Sequence, residues 1–242
     1  MEPKHFQHKI EFPKASDLKS FNRPWDLHSH TTFVDGKNSV SEMISSAEKR
    51  GLELFAITEH VRSSAMKWWR EYVKEIRERR QNRKVEVLIG MEVNAIGEVG
   101  RVDATEEMWH DTELTIGAIH GYYDDVSWEK IPNGSLSREK ALMYEIDRAV
   151  GLCYHPQIHI LAHPCWLFEM HYGEMPENEL RMLFRAGRET NTAIELNGYY
   201  LKYPKRFLKI LQDENPMVSF GSNAHSANEI NNVWIHLKDI LP

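Results

Sequence analysis

Trp25-Asp26-Leu27-His28-Ser29-His30 places two imidazoles at i and i+2 where a short apolar run ends. On extended backbone such residues project to one side, so both rings can reach a single metal ion. The same event recurs down the chain. Apolar runs end in a potential ligand at Ala56-Ile57-Thr58-Glu59-His60, Ile89-Gly90-Met91-Glu92, Ile116-Gly117-Ala118-Ile119-His120, Ile160-Leu161-Ala162-His163 and Phe220-Gly221-Ser222-Asn223-Ala224-His225. Six imidazoles and a carboxylate form a donor set that suits zinc, manganese or iron.

Ligands so far apart in sequence meet only if the fold gathers strand ends. Strands are expected at 52–57, 85–89, 114–119, 158–162, 193–196 and 218–220, after a first one ending near residue 27. Each is a short apolar run suited to a strand buried on both faces. Helices are expected between them at 40–50, 65–83, 137–151, 177–190 and 204–215. Ser39 or Ser41 can cap the first of these and Gly51 can stop it. In the second, Trp69, Tyr72, Val73 and Ile76 fall on one helical face, and the basic residues read as its solvated side. Seven strands alternating with helices predict an α/β fold with a parallel sheet, in a closed or nearly closed TIM-like barrel. In such barrels the loops after the strands share one mouth, and the seven ligand candidates would converge there.

Composition narrows the partners. With 242 residues, a formal charge of −6 and a pI near 6.1, the chain offers long nucleic acid or an anionic membrane no general attraction. Cys153 and Cys165 are the two cysteines, too few for a disulfide framework, and no leader or spanning apolar run is apparent. The expected compartment is the cytoplasm. Residues 1–22 read as an extension packed on the outside or partly mobile, residues 23–242 as one barrel domain, and 121–134, with Asp124 and Asp125, as a loop near the mouth. Nothing in the sequence fixes an oligomeric state.

Taken in order, Asp26-Leu27-His28-Ser29-His30-Thr31-Thr32 with Asp35-Gly36, then Glu59-His60, Gly90-Met91-Glu92, Ala118-Ile119-His120, Ala162-His163-Pro164, Glu195-Leu196-Asn197 and Ser222-Asn223-Ala224-His225, the chain resembles the PHP (polymerase and histidinol phosphatase) family of metal-dependent phosphoesterases. The resemblance implies a distorted seven-stranded (β/α) barrel with two or three divalent ions. Carried over by position, His28, His30, Glu92 and Asn223 would hold the first, Glu92, His120 and His163 the second, and Asp35, His60 and His225 the third. Two positions depart from the family's pattern. Glu59 stands where an Asp is usual, and Asn223 replaces an Asp ligand with a neutral, weaker amide donor.

Two dications bridged by Glu92 would lower the pKa of a shared water and hold phosphoryl oxygens during in-line attack, so that no protein nucleophile is needed. Glu92, Asp35 and His225 are the residues expected to serve this chemistry most directly. Asp26 is expected to orient a ligand imidazole from behind, and Arg62, Lys202 and Arg206 to bind the phosphate or its leaving group. Trp166, Phe168, Tyr199 and Tyr200 suit either a substrate wall or the core, and Cys165 suits a small buried position. The expected function is hydrolysis of small phosphomonoesters of histidinol phosphate or nucleotide type. The alternatives are a phosphodiesterase or exonuclease, an amidohydrolase, and a weakly catalytic metal-binding domain serving a partner protein. The amidohydrolase is disfavoured because its last strand needs an Asp where this chain has Asn223 and His225.

Overall fold

A computed structural model of the chain describes residues 10–97, 99–123 and 129–238. Its strands are β1 (Trp25–Asp26), β2 (Leu54–Val61), β3 (Glu86–Asn94), β4 (Leu114–Ala118), β5 (Tyr122–Tyr123), β6 (Lys130–Ile131), β7 (Ile160–Leu161), β8 (Ala193–Asn197) and β9 (Val218–Gly221). Seven of them form one parallel sheet in the order β1-β2-β3-β4-β7-β8-β9, and β5 and β6 make a small antiparallel hairpin. The sheet nearly closes on itself, as the alternation of strands and helices predicts. Leu27 N–H donates to Phe220 O and His30 N–H to Ala224 O, each at 2.8 Å, joining the first strand to the last.

Helices α1 (Val40–Lys49), α2 (Met66–Arg79), α3 (Glu106–Asp111), α4 (Arg138–Tyr154), α5 (Trp166–Tyr172), α6 (Glu177–Thr190), α7 (Pro204–Glu214) and α8 (Asn232–Leu237) surround the barrel. Helix α1 begins with a reciprocal box: Ser39 N–H donates to the Glu42 carboxylate at 2.8 Å, and Ser39 Oγ accepts the Glu42 N–H. It runs out into Gly51, whose φ of +72° suits glycine. Helix α2 buries Trp69, Tyr72, Val73 and Ile76 against the sheet, the face its spacing predicts. No helix among the described residues is long and apolar enough to cross a membrane.

The strands carry two separate apolar layers. Phe55, Ile57, Val87, Ile89, Met91 and Val93 face the helices, while Leu54, Ala56, Leu88, Leu114, Ile116 and Ile160 fill the interior. This period of two decides where the site forms. Along β2 the inner positions continue from Ala56 to Thr58 and His60, and along β3 from Leu88 to Gly90 and Glu92. The barrel is apolar at its base and polar at its mouth.

Several boundaries differ from the expectations. Strands β2 and β3 run on to Val61 and Asn94, because the inner side turns polar there while pairing continues through His60↔Glu92. Helix α2 ends at Arg79 and α4 extends to Tyr154. Helices α3 and α5 are additional to the expected set, since six and seven residues are too short to show a period. Within the extension, residues 10–22 pack into the structure instead of lying outside it. Phe12 joins the inner apolar cluster beside Trp25 and Leu54, Val218 N–H donates to Pro13 O at 2.8 Å, and Phe21 stacks on Phe220. Residues 1–9, and Asp124 and Asp125 of the mouth loop, lie outside the described residues.

Candidate metal centre

Glu92 occupies the inner wall of β3, opposite His60 on β2, and is 1% exposed. Five imidazoles surround its carboxylate. Oε1 lies 3.2 Å from His120 Nε2, 3.2 Å from His163 Nε2 and 3.5 Å from His28 Nε2. Oε2 lies 2.5 Å from His60 Nδ1 and 3.7 Å from His30 Nε2. At the rim, Asp35 Oδ2 reaches His60 Nε2 at 3.5 Å and His225 Nε2 at 3.4 Å. Asn223 Oδ1 is 2.9 Å from His30 Nε2. Both Asn223 and His163 hold left-handed backbone, with φ of 49° and 27°. Such conformations persist only where the surroundings over-determine them.

Among the described residues, potential ligand atoms fall into three groups, each within 4.8 Å: His30, Asp35, His60 and His225; His28, Glu92 and His163; and His60, Glu92 and His120. This partition differs from the one the resemblance implies. His30 stands with the rim group, His163 joins His28, and His60 is shared between two groups.

A second layer holds the imidazoles in place, and the sequence reading missed its principal member. Glu195, on β8 and 2% exposed, has Oε1 2.8 Å from His28 Nδ1 and accepts the His163 backbone N–H at 2.6 Å through Oε2. With a proton on Nδ1, His28 keeps Nε2 free to act as a ligand, the arrangement expected behind a metal-bound histidine. The Glu195-Leu196-Asn197 motif was the available signal. Only glycine fits opposite it: a Cβ on Gly221 would lie 2.0 Å from Glu195 Oε1 and 2.6 Å from the His28 Cβ.

Asp26 does not orient an imidazole, contrary to the expectation. Its oxygens accept the Ser222 N–H at 2.9 Å, the Ser222 hydroxyl and the Asn231 N–H at 2.7 Å, so it pins the loop that carries Asn223 and His225. Glu59 is fully buried and accepts the Thr31 N–H and hydroxyl behind His30.

The electrostatics follow from burial opposed by charge. Burial disfavours the imidazolium at His28, but Glu195 and Glu92 outweigh it and raise its pKa to about 10. His60 is raised to about 10 in the same way, by Glu92 and Asp35. Burial would push Glu92 up, yet His120, His60 and His28 hold it well below the usual carboxylate range. Hydrogen bonds from His225 and His60 lower Asp35. Burial raises Glu59 to about 7 despite the Thr31 hydrogen bonds. The cluster thus collects cationic or neutral nitrogen around two ionised carboxylates.

These residues fit divalent metal ions. The donors are nitrogen and carboxylate oxygen, and His28 Nε2, which faces Glu92 Oε1 at 3.5 Å, is buried with no hydrogen-bond partner among the described residues. A cation at this position would satisfy an atom that protein groups leave unpaired.

Of the proposed substrate residues, Arg62 alone lines the cavity that opens on the cluster. Lys202 Nζ donates to Glu169 O at 3.1 Å, and Arg206 donates to Met175 O at 2.6 Å and pairs with Glu174 at 3.1 Å, so both hold the segment around α5. Trp166 and Tyr200 pack against His163, with ring centroids 5.7 and 5.5 Å away, whereas Phe168 is core and Tyr199 is exposed. Cys165 is buried, with a φ of 70°. Outside the cluster, buried His159 accepts the Thr115 N–H through Nδ1 at 2.9 Å.

The chain is similar to known proteins along most of its length. A curated protein of Proteus mirabilis (strain HI4320), named a probable phosphatase, is 24% identical over 86% of this chain and 81% of its own length. DNA polymerase/3'-5' exonuclease PolX of Bacillus subtilis (strain 168) is 22% identical over 98% of this chain, a match spanning 41% of that protein. Among solved structures, histidinol phosphate phosphatase from Lactococcus lactis, complexed with zinc, L-histidinol and phosphate, shares the fold with a TM-score of 0.63 and 15% identity, covering 90% of this chain and 94% of that one. The family model described as PHP domain matches residues 26–198, and with the strand-end cluster in place this chain belongs to the PHP domain family.

Proposed function

We propose that this chain is a metal-dependent phosphatase that hydrolyses small phosphomonoesters, of histidinol phosphate or nucleotide type, on a unit spanning residues 23–242. The observation that carries this reading is Glu92, a buried carboxylate with five imidazoles within 3.7 Å at the mouth of a barrel. Phosphatases among the relatives support it. Two or three divalent ions, zinc, manganese or iron, would supply an activated water and neutralise phosphoryl oxygens.

The chain's own residues set the rest. Glu92 is placed to bind more than one ion, since its two oxygens face different imidazoles. Glu195 fixes the tautomer of His28 and, through the His163 N–H, the position of a second ring. Asp35 and His225 are the open side, with side chains 48% and 31% exposed, where solvent and an incoming ester reach the cluster. Arg62 adds a cation at the cavity wall and draws an anion inward despite the overall charge of −6. Two cysteines, both buried, suit a reducing compartment, the cytoplasm.

The test is phosphate release from a panel containing histidinol phosphate, nucleoside monophosphates, aryl phosphates, an aryl diester and an oligonucleotide. Metal-stripped protein and protein loaded with each metal are compared. Monoester turnover that appears only with metal is the expected result. Diester cleavage without monoester turnover would move the assignment to a phosphodiesterase. Metal binding with no turnover at all would favour a domain serving a partner.

A further inference from the structure

Resting on the phosphomonoester reading, the geometry points to a narrower substrate class: we infer that the leaving group is a flat ring bearing a second negative charge. The cavity beside the cluster has a volume of about 430 Å³. Small-molecule sites run from roughly 300 to 1,000 Å³, so this one has room for a single ring system with substituents. Its floor is His60, Glu92 and His120, which belong to the candidate metal cluster. The cavity adjoins this floor, so an ester whose phosphorus sits there can direct its alcohol portion into this space.

The walls say what that portion is. Trp68, Val34, Val61 and Ala65 make the apolar side. The Trp68 ring is held edge-on to Tyr72 at 5.8 Å and 87° and against Phe33 at 5.9 Å, and it remains half-buried, a fixed aromatic surface for a planar group. The polar side is built from donors. Asn94 commits its Oδ1 to the His120 N–H at 3.0 Å, which leaves its amide NH₂ as the group on offer. Ser64 contributes a hydroxyl, and Arg62 is exposed without a carboxylate partner among the described residues.

Beyond the cluster, Arg62 is the one charged side chain among the described residues of the wall. An ammonium on the substrate would meet a guanidinium with no carboxylate among the described residues of the wall beyond the cluster to offset it. A carboxylate or second phosphate on the ring would meet a charge-assisted donor. Within the proposed class the cavity therefore selects against amino-alcohol phosphates, histidinol phosphate included, and for anionic ring phosphates.

The test uses metal-loaded protein and two aryl phosphates whose phenols have similar acidity, 4-carboxyphenyl phosphate and 4-(aminomethyl)phenyl phosphate. The corresponding benzylphosphonates, which cannot be hydrolysed, are titrated by calorimetry. The anionic member should be favoured by about fivefold or more in kcat/KM and in Kd, and Arg62→Gln should bring the ratio close to one. Trp68→Leu should weaken both aryl phosphonates while leaving inorganic phosphate binding in place. Equal treatment of the two ligands by the parent, or a preference that survives Arg62→Gln, overturns the inference. Discriminated phosphonate binding without ester turnover would keep it and remove the phosphatase reading. Turnover of both esters without discrimination would do the reverse.

Discussion

Glu195→Gln changes one atom in the layer behind the ligands, and its consequence can be worked out from three hydrogen bonds. Oε1 of Glu195 faces His28 Nδ1 at 2.8 Å, while Oε2 accepts the His163 N–H at 2.6 Å and the Asn197 Nδ2 at 3.1 Å. A carboxylate accepts from all three. A glutamine amide cannot, because one of its two ends is an NH₂. Two fixed donors on one side against a single ring nitrogen on the other will turn the amide oxygen toward His163 and Asn197. The NH₂ then faces His28 Nδ1, which must become an acceptor, and the ring proton moves to Nε2, the atom needed for metal. Loss of such support lowers metal affinity by about 10- to 100-fold, equivalent to about 1.4–2.8 kcal/mol. Removing the anion also eases deprotonation of His28, but the same charge stabilises a dication more than an imidazolium, so the net change is a loss. Zinc titration of stripped parent and variant, read by calorimetry and by the rise in melting temperature, measures the difference. Equal zinc affinity in the two proteins would refute the tautomer argument.

Three further outcomes follow from the same geometry. His225→Ala should remove the rim ion alone, whereas His60→Ala, whose ring belongs to two groups, should weaken two; elemental analysis of each variant distinguishes them, and identical losses would contradict the partition. Asn223→Asp adds a charge 2.9 Å from His30 Nε2 and should tighten metal binding at least several-fold, with a larger metal-induced rise in melting temperature; unchanged affinity would mean that residue 223 is no ligand. Burial raises Glu145 from 4.5 to about 8, so the folded state binds a proton that the unfolded state releases; its stabilising contribution is complete below about pH 4.5 and is lost as pH rises through about 8. Glu145→Gln keeps an acceptor for the Phe168 and Leu167 N–H groups and should flatten that fall in stability in denaturant melts across pH 5–9; an unchanged slope would refute the assignment.

Most of the barrel was legible because its strands are short apolar runs separated by helices with clear 3.6-residue faces, as in α2 and α6. The strand ends were legible where apolar residues gave way to His or Glu. What the sequence hid were facts of pairing and packing. His60 and Glu92 are inner residues of continuing strands, which only the β2–β3 register reveals. Asp26 looked like a support for the imidazole two residues on, yet its side chain holds Ser222 and Asn231, 196 and 205 positions away. Glu195 took the role expected of Asp26, because β8 lies beside β9 at the closure of the barrel and brings Glu195 against His28. The inward turn of residues 10–22 was hidden too, since Phe12 shows no periodicity of its own and reads as core only once the open base of the barrel is known.

The central claim is that hydrolysis depends on metal gathered by Glu92. Glu92→Gln keeps the side chain's shape and removes the charge that five imidazoles face. Monoester turnover by this variant, at saturating metal and with its fold verified by melting, should fall by at least about a thousandfold, accompanied by loss of bound metal. Near-parental turnover with the parental metal content would contradict the account.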